Sequence, residues 1–139
     1  MERTERLKYA AWLRTDQGRH HNCCQSVLMC FAEEMGLDRE EAFRLAGHMG
    51  AGMRCGSACG TVTAAALVLG AAGRTEEEVR ALLEDFRARR GTLDCEPLLE
   101  GAKARGEEKK PFCDGLVLDM VARLDALLAR PAEEPAEKT

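Results

Sequence analysis

The chain has 139 residues, a formal net charge of −4, and only four Phe and one Trp. A single chain of this length buries one hydrophobic core without a metal or disulfide staple. Its acidic balance and few stacking rings exclude a nucleic-acid surface, which would cluster Lys and Arg among aromatics.

Residues 1–16 have helix-forming composition, with Leu7, Ala10, Ala11 and Arg14 on one face. Residues 1–6 alternate charges and show no apolar segment of a secretory leader, so a cytoplasmic location is expected. After a polar break at 17–21, Asn22 and Gln25 form a capping-box pair opening a helix that carries Leu28, Phe31 and Met35 inward and stops at Gly36. Asp38 and Glu41 repeat the pair for a short helix with Ala42, Leu45 and Met49 inward, His48 in its last turn and Gly50 at its end.

The stretch 50–70, GAGMRCGSACGTVTAAALVLG, organises the chain. Glycines 50, 52, 56 and 60 surround Cys55 and Cys59, so its first half reads as a loop with unusual backbone angles. Residues 61–69 carry no charge and read as a buried helix, far short of the about 18 apolar residues of a membrane span. Beyond a break at 70–73, Thr75 and Glu78 start a helix with Val79, Leu82, Leu83 and Phe86 on one face, closed by Gly91. Asp94 is placed to cap a short helix with Pro97 in its first turn and Leu98, Leu99 and Ala102 inward. A charged connector, 103–110, leads from Phe112 into the longest stripe: Leu116, Val117, Met120, Val121, Leu124, Leu127 and Leu128. Residues 131–139 read as a solvated tail with no reason to fold. No strand-like alternation occurs. The expectation is an all-α, single-domain bundle of about six or seven short helices over 1–130.

Seven cysteines, an odd number, read as metal-binding or redox-active rather than as a disulfide framework. Their positions share a pattern. Cys113 precedes Leu116, Val117 and Met120, and Cys95 precedes Leu98, Leu99 and Ala102, each by three, four and seven residues. Cys59 stands so to Val62, Thr63 and Ala66, and Cys24 to Val27, Leu28 and Phe31; Cys23 meets the pattern less well. Each such cysteine sits inward at a helix start, where unpaired N–H groups and the helix dipole favour a thiolate or an anionic cluster. Cys30, two turns down its helix, reads as core. Cys55 reads as a loop thiol or as a partner of Cys59, and His20, His21 and His48 are candidate ligands or bases.

These residues resemble a known family. NCCQSVLMCFAEEMGLD at 22–38, then Cys59-Gly60-Thr61-Val62-Thr63-Ala64, then Cys95 and Cys113, are similar to the four cysteine elements of the C-GCAxxG-C-C family of small redox-active proteins. Thr61 replaces the motif's alanine and Ala64 its final glycine. The resemblance places the first family cysteine at Cys23, with Cys24, which the helix stripe prefers, in reserve. A similar domain in split-Soret cytochromes implies iron–sulfur or electron-transfer chemistry.

Three functions follow as expectations. In the first, Cys23, Cys59, Cys95 and Cys113 ligate an iron–sulfur cluster, such as [2Fe–2S], for electron transfer or redox sensing. Zinc ranks lower because the paired CxxC spacing is missing. In the second, Cys59 is the attacking thiolate of a thiol–disulfide oxidoreductase or redox switch, with Cys55, Cys23 or Cys24 as resolver. In the third, the cysteines only pack, in a structural or interaction domain. The expected partners are a redox protein and a second copy in a homodimer, with neither nucleic acid nor membrane.

Overall fold

The computed structural model describes residues 1–132, and most of the expected tail, 133–139, lies outside the described residues. Seven α-helices are present among them: α1 Arg3–Leu13, α2 Cys23–Cys30, α3 Arg39–Leu45, α4 Gly60–Ala71, α5 Glu76–Arg90, α6 Cys95–Ala104 and α7 Lys109–Leu128. They form one all-helical domain with no strand among the described residues. None of these helices is long and apolar enough to cross a membrane.

The centre of the bundle is the pair α2 and α4. Every residue of α2 after Cys23 is buried, and α1, α3, α4 and α7 all pack on it. A helix buried on all sides has to satisfy its polar side chains internally. Gln25 Nε2 donates to the Phe43 carbonyl at 2.9 Å, Asn22 Nδ2 to the Ala46 carbonyl at 3.0 Å, and Ser26 Oγ to the Asn22 carbonyl at 2.8 Å. The three expected capping boxes, Asn22 with Gln25, Asp38 with Glu41 and Thr75 with Glu78, all form.

Four boundaries differ from the sequence reading. The carbonyl of Cys30 accepts from Arg6 Nη1, and α2 ends there; a separate 3-10 turn, Glu33–Met35, leads to left-handed Gly36. Helix α3 stops at Leu45 because α2's Gln25 and Asn22 take the carbonyls of its last turn, which leaves His48 beyond the helix and Leu45 64% exposed rather than inward. Helix α7 begins at Lys109, so Cys113 lies one turn inside it. Asp94 does occupy the position before α6, but its side chain makes no capping bond.

Helix α1 buries Arg6, Ala10 and Leu13 while Ala11 is exposed. The buried face includes a cation because Arg6 is fully occupied: it pairs with Glu34 at 2.6 Å and Asp125 at 3.0 Å, and its guanidinium lies 4.2 Å from the centre of the Phe31 ring. Two carboxylates, each with one charge-assisted hydrogen bond, and a stacked face compensate the lost hydration.

Helix α4 reaches α2 at Gly60. A Cβ there would stand 2.7 Å from the backbone nitrogen of Cys24 and 3.3 Å from Cβ of Cys23, so the missing side chain sets the distance between the two helix starts. Gly60→Ala should force α4 off α2 and cost about 1–3 kcal/mol, whereas Gly70→Ala, with nothing within 4 Å, should be neutral or stabilise by about 0.5–1 kcal/mol through helix propensity. Thermal unfolding of the two variants checks this; equal melting temperatures would contradict it.

Candidate functional site

Residues 50–60 are the expected irregular loop, but glycine is not what makes most of it unusual. Ala51, Gly52, Met53 and Arg54 are consecutively left-handed, with φ of 52°, 62°, 56° and 61°. Three of these carry a Cβ, at a cost of about 1–2 kcal/mol each. Contacts on both sides hold the turn. Ser57 N donates to the Gly52 carbonyl at 2.9 Å, Met53 N to that of Met49 at 3.4 Å, and Arg54 Nη2 to Nδ1 of His48 at 2.8 Å. At Gly52 a Cβ would lie 2.3 Å from the Ser57 oxygen and 2.7 Å from Cβ of Cys95, so only glycine fits.

The chain leaving this turn pairs with the chain entering α6. Cys59 N donates to the Leu93 carbonyl at 2.8 Å and Cys95 N to the Ser57 carbonyl at 2.7 Å, around one antiparallel bridge between Ala58 and Asp94. Two cysteines far apart in sequence are thereby fixed side by side. Gly60 meanwhile places Cys59 against the start of α2, and α7 brings Cys113 to the same end of the bundle.

Cys23, Cys59, Cys95 and Cys113 are therefore neighbours close enough to act on one another's charge: Cys59 on Cys23 and Cys95, and Cys113 on Cys23, Cys59 and Cys95. The strongest mutual influence is between the side chains of Cys23 and Cys113. All seven cysteines are free thiols. Among the described residues, no three His, Cys, Asp or Glu side chains stand together as a metal-ion site. Four cysteines are the soft donors that an iron–sulfur cluster takes.

Helix-start electrostatics alone does not decide the ionisation of these thiols. Burial pushes Cys59 upward, and the Thr61 hydroxyl, 3.2 Å from its sulfur, with the N–H groups of Thr61 and Val62, only partly offsets this. Cys95 is raised by burial and by the neighbouring thiols Cys59 and Cys113. Cys113 is lowered to about 7, first by the Cys23 thiol, against burial, and then by Arg14 and Lys109. Cys23 is raised by the same pairing, with burial adding to the effect. Desolvation is the leading cause at Cys59 and Cys95 and the second at Cys23.

The remaining cysteines separate cleanly. Cys24 is fully buried, takes the Thr63 hydroxyl at 3.7 Å and is pushed up to about 11 by burial. Cys30 bonds the Ser26 carbonyl at 3.2 Å and is pushed up to about 12, again by burial. Cys55 is exposed on the strained turn with its sulfur 3.6 Å from the Gly52 carbonyl, whereas Cys59 is buried behind the turn. The stripe argument for Cys59 also fails in detail. It precedes α4 as the cap residue, and Ala66, which was to share its face, is exposed.

Cys23, Cys95 and Cys113 line an open cleft of about 990 Å³ between α1, the strained turn and the starts of α2, α6 and α7. Arg14 and Lys109, which act on Cys113, stand in its wall. The sequence reading placed Arg14 on a packing face and Lys109 in a connector, so it missed both. Lys109 lies four residues before Cys113, a spacing that puts them on one helix face once α7 starts at Lys109. His20 and His21 also line the cleft; His48 does not.

No curated protein and no solved structure matches this chain. A family model does, described as "Putative redox-active protein (C_GCAxxG_C_C)", over residues 21–127. That span starts just before α2 and ends in the last turn of α7, taking in all seven cysteines and the cleft-forming framework except α1 and the segment 14–20 that follows it. The chain belongs to this redox-active family.

Proposed function

We propose that the chain is a thiol–disulfide redox module whose couple is Cys23 and Cys113. The observation that carries the reading is that Cys23 and Cys113, each of which acts on the other's ionisation, both line the open cleft. The attacking role expected of Cys59 passes to Cys113, because Cys59 does not line the cleft and Cys113 does, and Cys113 is the cysteine whose ionisation is eased.

The exchange balances as follows. The Cys113 thiolate attacks one sulfur of a substrate disulfide, whose S–S bond breaks, and the departing thiolate takes a proton from water. A mixed disulfide remains on Cys113. Cys23 then releases its proton to solvent and attacks the Cys113 sulfur, expelling the second substrate thiolate and closing a Cys23–Cys113 disulfide. Two electrons pass from the dithiol to the substrate, and two thiols returning by the same route reduce the protein again. An attacker ionised near neutrality and a resolver that stays protonated until needed give this order.

Ligation of an iron–sulfur cluster by Cys23, Cys59, Cys95 and Cys113 is a second reading. The mutual approach of the four thiols favours it. Protein purified without oxygen would then be coloured and contain iron and acid-labile sulfide. Colourless, metal-free protein after anaerobic reconstitution excludes it.

Two measurements test the dithiol. Alkylation of the reduced chain with iodoacetamide, mapped by peptide mass spectrometry, should show Cys113 reactivity rising through a pH of about 7. Cys23→Ala removes the donor that stabilises the thiolate, so the midpoint should move up toward the ordinary thiol range; an unchanged midpoint contradicts the pairing. Oxidation of the reduced chain by the uncharged 2-hydroxyethyl disulfide should yield a peptide linked through Cys23 and Cys113. A product in which these two stay reduced while other cysteines pair overturns the assignment.

A further inference from the structure

The cleft has a charge that the chain as a whole lacks. In a protein of net charge −4, five cations line it, Arg14, Arg19, Arg54, Lys109 and Lys110, against the single carboxylate of Asp16. Two acids behind the wall neutralise part of this. Asp114 is shared by Arg14 at 2.7 Å and Lys110 at 3.0 Å, and Glu40 pairs with Arg19 at 2.9 Å. Arg54 makes its one side-chain hydrogen bond to Nδ1 of His48, and neither Arg54 nor Lys109 has an ion-pair partner among the described residues. The cleft thus keeps a surplus of positive charge beside its thiols.

We propose that the cleft binds a small amino-acid or peptide disulfide, its carboxylates held by Arg54 and Lys109, with its sulfurs toward Cys113. The chemistry rests on the dithiol reading; the binding does not. About 990 Å³ holds a ligand of tripeptide size, and a concave site of that volume suits a small molecule better than a protein surface. The substrate accepts two electrons from the Cys23–Cys113 dithiol and leaves as two thiols, as balanced above.

The test separates recognition from reaction. The full-length reduced chain is titrated calorimetrically with S-methylglutathione, which carries the carboxylates and N–H groups but cannot exchange. Rates of oxidation are then compared for oxidised glutathione, neutral 2-hydroxyethyl disulfide and cationic cystamine. We expect saturable S-methylglutathione binding that survives Cys23→Ala/Cys113→Ala and weakens with salt. At low ionic strength oxidised glutathione should react roughly tenfold faster than cystamine, and Arg54→Gln should cut that advantage severalfold while leaving the rate with the neutral disulfide unaffected. Arg54 is exposed, so the variant should fold, which an unchanged melting temperature verifies. Absence of S-methylglutathione binding, or equal rates for all three disulfides, overturns this inference and leaves the dithiol standing. Binding without any disulfide exchange supports the anion site and overturns the dithiol instead.

Discussion

The site depends on one close approach, the contact of Gly60 with the backbone at the start of α2. Without a side chain at that residue, the first turn of α4 lies against Cys24 N, and the cap residue Cys59 is carried to within electrostatic reach of Cys23. Everything else at this end of the bundle is arranged around that contact. The bridge at Ala58 and Asp94 ties α6 to the residue before Cys59, and the left-handed turn folds back under Cys95. The strain in Ala51, Met53 and Arg54 falls within the segment 46–59 that joins α3 to α4. Such strain persists where surrounding contacts over-determine the backbone, and here Gly52, wedged between Ser57 and Cys95, supplies them.

Three cysteines sit where unpaired N–H groups should favour thiolates, yet three of the four clustered thiols are raised. The bundle that gathers them also removes water from them, and in a thiol the loss of hydration acts on the full charge of the anion while a helix start offers about half a charge. Cys113 escapes because it has a specific donor in Cys23 and two cations within reach. Local position therefore selects where sulfurs gather, and pairwise contacts select which one ionises.

The same distinction explains what was legible in the sequence. Capping boxes are read from residues three apart, and all three formed; the buried character of α4 is written in its uncharged run. The four-thiol gathering was legible as a common offset from inward apolar residues at Cys95 and Cys113, and at Cys59 through the glycine beside it. Helix ends were misread where a distant side chain takes a carbonyl: Arg6 at Cys30, and Asn22 and Gln25 at the end of α3. No window along the chain contains those partners. The choice between Cys23 and Cys24 was likewise out of reach of periodicity. Both begin one helix, and only the approach of α7 from 90 residues away makes Cys23 the one that meets Cys113 and lines the cleft.

The departures from the family motif fall where the structure uses them. Thr61, in the motif's alanine position, is fully buried with its hydroxyl on the sulfur of Cys59, and Thr63 reaches Cys24 with its own. Each hydroxyl partly offsets the burial of its cysteine, and neither reverses it. A buried hydroxyl without a partner would be costly, so the threonines and the thiols satisfy one another. Ala64, in place of the motif's last glycine, is also fully buried, and the close approach rests instead on Gly60, which the chain keeps. The retained glycine governs where the sulfurs meet; the substituted positions alter only how firmly two of them hold their protons.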